Sequence, residues 1–183
     1  MSPKIVTIGV FGFSEEAFFQ ALQAAQVDTF CDIRQRRGVR GATYAFCNSK
    51  RLQARLAELD IRYLHRKDLA PTTAVRQVQH DADKANQVAK RKRTTLGPAF
   101  ITAYQEEILA DFEPQSLLDD LDSDAQVVAL FCVEQHPDAC HRSLVAAKLQ
   151  QELGLEVENV LPGNEMISGN KQQTCPTFSQ EST

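Results

Sequence analysis

The segment that most restricts this chain is Gln126-Val127-Val128-Ala129-Leu130-Phe131-Cys132-Val133, apolar at almost every position. A strand with one face in water alternates polar and apolar residues, whereas a strand covered on both faces has no need to. The run therefore reads as the central strand of a parallel sheet with helices on either side. Three shorter runs accompany it: Ile5-Val6-Thr7-Ile8-Gly9-Val10, Thr29-Phe30-Cys31-Asp32-Ile33 and Arg62-Tyr63-Leu64-His65. Glu156 to Leu161 supplies a last strand. Helical signals fall between them. Ser14 reads as an N-cap with Glu15 and Glu16 in the first turn, and Phe18, Leu22 and Ala25 repeat at helical spacing. Leu52, Leu56 and Leu59 share one face of a helix from about Ser49. Pro98 opens another helix, striped by Phe100, Ala103, Tyr104 and Ile108, and a helix from about Ala139 to Leu153 stops at Gly154.

This β-α-β rhythm predicts an α/β fold: a single domain with a mostly parallel sheet flanked by helices, Rossmann-like and three-layered. Residues 1–163 form the domain. A polar, helix-prone insertion near 72–95 is expected to be solvent-exposed or mobile, and the polar tail 164–183 to be loosely ordered. A length of 183 residues fits one domain, and 43% hydrophobic residues can bury a core without a metal or disulfide staple.

Several function classes are set aside on the same grounds. The net charge of -4 weighs against coating nucleic acid through bulk charge. No apolar run approaches the ~20 residues that span a bilayer, so no membrane partner is expected. Met1-Ser2-Pro3-Lys4 leads straight into the first strand without an export-signal pattern. Cys31, Cys47, Cys132, Cys140 and Cys175 contain no C-x-x-C pair, and their odd number points to reduced thiols in a cytoplasm. Oligomeric state is not specified by the sequence.

In open parallel sheets, ligands bind beyond the carboxyl ends of the strands. Asp32 and Arg34 end the second strand, His65 the third, and Cys132 and Glu134 the long one, while Cys140-His141-Arg142 open the helix that follows. Amide groups at a helix start attract anions, and an arginine fork there suits phosphate or carboxylate. A thiol at that place has a lowered pKa, and a neighbouring imidazole can act as acid, base or cationic partner. The expected catalytic residues are Asp32, Glu134, Cys140 and His141. Arg34 and Arg142 are expected to bind the anion, with Cys132 and Gly9 completing the ligand site.

Plainer roles stand beside these. Cys132 fits a small buried hydrophobe, and Asp32 with Arg142 fits an ion pair clamping two strand ends. Zinc held by Cys132, Cys140 and His141, completed by Cys175 or His65, is the lesser alternative, because Cys-x7-Cys-His matches no compact zinc knuckle. No cofactor and no metal is therefore expected. The arginine-rich loop from Arg34 to Arg40 could grip phosphates, with Tyr44 and Phe46 stacking on a base. Lys90-Arg91-Lys92-Arg93 reads as an exposed helix end. Gly9-Val10-Phe11-Gly12 lacks the three-glycine dinucleotide pattern, Cys140 and Arg142 are too close for a phosphatase loop, and no G-x-S-x-G elbow exists.

Thr7-Ile8-Gly9, Asp32-Ile33-Arg34 and Tyr63-Leu64, followed by Cys132-Val133-Glu134 and Cys140-His141-Arg142-Ser143, resemble the domain-of-unknown-function 488 family of small prokaryotic proteins. The likeness runs from about Lys4 to Leu161. It implies a compact α/β fold with a shared pocket, built from Asp32, Arg34, Cys132, Glu134, Cys140, His141 and Arg142, and supplies no reaction. Val10-Phe11 after the first glycine and the segment from Ala70 to Thr95 mark a divergent branch. Together these readings predict a cytoplasmic enzyme, of hydrolase or transferase type, acting on an anionic small molecule, nucleotide or nucleic-acid base-like ligand. The alternative is a non-catalytic module that binds nucleic acid or protein through Arg34 to Arg40.

Overall fold

The computed structural model describes residues 2–89 and 92–163. Strands β1 (Lys4–Gly9), β2 (Thr29–Asp32), β3 (Arg62–His65), β4 (Val127–Cys132) and β5 (Val157–Val160) form one sheet in the order β3-β2-β4-β1-β5. Every neighbouring pair is parallel. The strand that the sequence marks as doubly covered lies in the middle, between β2 and β1. Helices α1 (Glu15–Ala24) and α2 (Ser49–Glu58) pack on one face. Helices α3 (Thr73–Ala85), α4 (Pro98–Tyr104), α5 (Pro114–Asp119) and α6 (His141–Leu153) pack on the other. The chain is thus an α/β three-layer protein.

Alternation along β4 divides the interior in two. Val128 and Leu130 join Val75, Phe100, Tyr104, Val145 and Leu149 in one core. Ala129 and Phe131 join Phe18, Leu22, Phe30, Leu52 and Leu56 in the other. Side chains two apart on a strand share a face, so Cys132 falls on the α6 side with Val128 and Leu130. Asp32 follows Phe30 toward the α1/α2 side. That parity decides which polar residues can meet.

The local signals are realised at the helix ends. The Ser14 hydroxyl accepts from the Ala17 amide at 3.2 Å. Pro98 is the first residue of α4. Gly154 ends α6 with φ of 68°, a left-handed conformation that glycine adopts without Cβ strain.

The insertion carries a helix that is mostly exposed, as expected, but one that is fastened to the body of the protein. Its helix α3 is capped by the Thr72 hydroxyl, which accepts from the Val75 amide at 3.2 Å. Val75 and Gln79 are buried against the body of the protein. The Gln79 side-chain Oε1 accepts from the Gly97 amide at 2.8 Å, fastening α3 to the turn before α4. Residues 164–183, expected to form a loose tail, lie outside the described residues.

At the amino ends of the strands a cleft of about 550 Å³ is lined by Asp28, Arg62 and Asp124 among others. Arg62 is tied there to Asp28, Asp122 and Asp124, which makes the cluster a clasp. Asp28 accepts from the amides of Gln126 and Val127 at 2.7 and 2.8 Å and so fixes the start of β4. Partial burial opposes ionisation of Asp28, but the Val127 amide, the Thr29 hydroxyl, the Gln126 amide and Arg62 hold its carboxyl below the usual range. A depressed native pKa gives stability that is present above the unfolded pKa and lost as pH falls through the folded one. Asp28→Asn is therefore expected to cost about 1.5–3 kcal/mol at neutral pH, the worth of hydrogen bonds to a charged group. In urea unfolding, the gap between wild type and variant should shrink as the solution is acidified below the ordinary Asp range. A gap independent of pH would refute this role.

Candidate functional site

Beyond the carboxyl ends of β2 and β4 lies a cleft of about 420 Å³, in the range of small-ligand sites. Arg34, Cys132, Glu134, Cys140 and His141 all line it. Five of the residues expected from the sequence thus share one hollow.

Its floor is a cluster of two thiols and an imidazole. Cys132 ends β4, Cys140 is the N-cap of α6 and His141 is the first residue of that helix. The His141 Nδ1 lies 3.9 Å from the Cys132 Sγ and 3.8 Å from the Cys140 Sγ. On the far side of the ring, Nε2 is 3.1 Å from the Ile33 carbonyl oxygen, to which it donates. The Cys132 thiol also faces the Glu134 Oε2 at 3.4 Å. Burial opposes ionisation of Cys140, but the Cys132 thiol, His141 and Arg142 hold its pKa well below the usual thiol range. The hydrogen bond with Cys140, burial, and the charges of Cys140 and Glu134 push the Cys132 thiol well up. Burial works against a charged His141, while Cys140, Glu134 and the Ile33 carbonyl raise its pKa. Such a centre can supply a thiolate nucleophile with a proton-bearing imidazole, or three converging donors for a cation. Cys31 and Cys47, in contrast, are core residues away from the cleft, and burial pushes the Cys47 thiol up to about 12.

Arg34 forms the wall next to this floor. Its Nε and Nη2 donate to the two Asp32 carboxylate oxygens at 2.8 and 2.7 Å. The guanidinium also lies over the Phe131 ring at 4.6 Å. Its Nη1 is buried with no hydrogen-bond partner among the described residues. Buried donors are nearly always satisfied, so this one marks a place where an acceptor belongs.

The geometry places the other expected residues elsewhere. Asp32 is fully buried, bonded by Arg34 and by the Tyr63 hydroxyl at 2.8 Å, and does not line the cleft. It orients Arg34, because strand parity turns it away from Cys132. Arg142 does not pair with Asp32 and does not reach the cleft. It is fully buried, and its Nη1 and Nη2 donate to the Glu134 and Gln135 carbonyls at 2.6 and 2.9 Å, bracing the loop after β4. Gly9 serves the same loop: a Cβ there would lie 1.8 Å from the Glu134 carbonyl oxygen. His65 contacts the Arg34 carbonyl at 3.0 Å through Nε2 and stands apart from the thiols. Of the aromatic pair expected to stack on a base, Phe46 is buried in the core, and the Tyr44 hydroxyl accepts from the Gly12 amide.

Sequence reasoning missed the other wall. Gln79, His80, Asp83, Arg76 and Arg93 line the cleft from the insertion side. Arg93, read as an exposed helix end, has a side chain only 9% exposed. It pairs with Asp83 at 2.8 Å and Glu134 at 3.4 Å, and donates to the Ala139 carbonyl at 3.0 Å. A signal existed: Val75, Gln79 and Asp83 are spaced i, i+4, i+8, so they share a helix face. The stripe is disguised because two of its members are polar.

Among the described residues no helix is long and apolar enough to cross a membrane. No curated protein and no solved structure matches the chain. The family described as Domain of unknown function DUF488 matches residues 14–149, a span that holds β2 to β4, α3, both thiols of the cleft, His141 and most of α6. With that match covering most of its 183 residues, the chain belongs to the DUF488 family.

Proposed function

We propose that this protein is an enzyme acting on a small phosphate- or carboxylate-bearing ligand, nucleotides included. The observation that carries the reading is the buried Nη1 of Arg34, a charged donor without an acceptor among the described residues, in a cleft shared with two cysteines, a histidine and a glutamate. An anionic oxygen would satisfy it at the strand edge where α/β proteins bind ligands. Arg36 and Arg76 at the cleft wall add positive charge that draws anions in. The bound anion would then lie against the Cys132–Cys140–His141 floor, with Glu134 placed for acid–base work.

The test is thermal unfolding with inorganic phosphate and with nucleoside monophosphates. Binding is expected to raise the melting temperature of the wild type in proportion to the logarithm of ligand concentration. Arg34 can be removed without leaving its counterion buried alone by combining Asp32→Asn with Arg34→Met. That variant should bind at least about tenfold more weakly, since a charged hydrogen bond is worth about 1.5–3 kcal/mol. A folded double variant with unchanged affinity, or a wild type that no anion stabilises, would refute the proposal.

A further inference from the structure

We infer that Cys132, Cys140 and His141 bind one zinc-class divalent cation, with a fourth coordination position facing the cleft. The inference goes beyond the anion reading and stands without it, because it needs only the three donors. Their ligand atoms all lie within 4.8 Å of one another. With Zn–S near 2.3 Å and Zn–N near 2.0–2.1 Å, a tetrahedral site has S···N edges of about 3.6 Å. The Sγ···Nδ1 separations of 3.9 and 3.8 Å need to close by only a few tenths of an ångström.

The second shell is in place as well. Ligating histidines nearly always donate their other ring N–H to a carbonyl or carboxylate, which fixes the tautomer and aims the free lone pair. His141 does this through Nε2 and the Ile33 carbonyl, leaving Nδ1 directed at both sulfurs. Sequence spacing argues against adjacent ligands, yet the backbone answers that objection. Cys140 is extended, with φ of -140° and ψ of 141°, and His141 begins the helix. The break lets neighbouring side chains converge where a continuous helix would splay them. Cys132 arrives from the sheet, on the face that strand parity turns toward α6.

The donor chemistry selects the ion. Two thiolates balance a divalent charge, and thiolate with imidazole favours zinc over magnesium or calcium. Three protein ligands with one open position is the arrangement of catalytic zinc sites, whereas structural sites are closed by four. In the metal-bound form Cys140 and His141 act as ligands, and the open position faces the space where Arg34 and Glu134 stand.

The experiment uses the full chain, reduced, stripped by chelator and dialysed against zinc chloride, with bound metal counted by mass spectrometry. One equivalent is expected. Cys175→Ser should retain it, while Cys132→Ser and Cys140→Ser should each weaken binding at least tenfold. Because a buried substitution can also perturb folding, two measurements use the wild type alone. Cobalt chloride in place of zinc should give a thiolate-to-cobalt charge-transfer band and the visible bands of a tetrahedral ion. Zinc should also protect Cys132 and Cys140, but not Cys31 or Cys47, from iodoacetamide, read peptide by peptide. No stoichiometric zinc, an unchanged Cys140→Ser variant, or a cobalt spectrum without the thiolate band would overturn the assignment. Arg36→Ala with Arg76→Ala should leave zinc uptake intact, so loss of the anion response and loss of metal binding are separable results.

Discussion

Gly9→Ala should destabilise the protein by about 3 kcal/mol or more, the upper range for overpacking a close-packed interior. The new methyl group would lie 1.8 Å from the Glu134 carbonyl oxygen and 2.7 Å from its carbon, well inside van der Waals contact. Those atoms are backbone, so no side-chain rotation relieves the clash. β1 would have to separate from the loop after β4, although Gly9 is held in register with Cys132 at the end of both strands. Gly38→Ala is the matched control. Its nearest neighbour is the Asn48 side-chain oxygen at 3.7 Å, so its stability should stay within about 0.5 kcal/mol of wild type. Urea unfolding of both variants checks the pair. A Gly9→Ala protein as stable as Gly38→Ala would show that the loop is not pressed against β1.

Arg142→Ala is expected to cost about 3–5 kcal/mol, the scale of emptying a large buried side chain and leaving buried acceptors unpaired. The side chain is among the largest that are fully buried. Its removal leaves a cavity and strips the Glu134 and Gln135 carbonyls of their donors. The Thr7 hydroxyl would lose a weaker contact at 3.4 Å. This loss should appear in unfolding experiments without any ligand present. If the variant were as stable as wild type but blind to phosphate, Arg142 would be an anion-binding residue after all. Gly9 and Arg142 also touch the same carbonyl, so the double variant should lose less than the sum of the two single effects.

Much of the architecture was legible because the signals were local. The unbroken apolar run of β4, the Ser14 cap, Pro98 and Gly154 each act within a few residues, and each is where the sequence puts it. The convergence of Arg34, Cys132, Glu134, Cys140 and His141 was legible from one topological rule about strand ends. What the rule could not supply was direction. Asp32 and Cys132 both end neighbouring strands, yet strand parity sends them to opposite faces. Arg142 follows two residues that line the cleft, and helix geometry turns it inward under the loop. Arg93 was hidden for another reason: its partners come from two distant stretches of chain, Asp83 from α3 and Glu134 with the Ala139 carbonyl from the segment between β4 and α6. A run of basic residues carries no mark that Arg93 turns inward.

The Arg93 linkage ties one wall of the cleft to the segment between β4 and α6. One guanidinium joins the helix forming one wall to Glu134 and to the Ala139 carbonyl just before Cys140. Any displacement of that helix would pull on the segment that carries Cys140 and His141. The position of the α3 wall and the placement of Cys140 and His141 are therefore mechanically coupled through a single side chain.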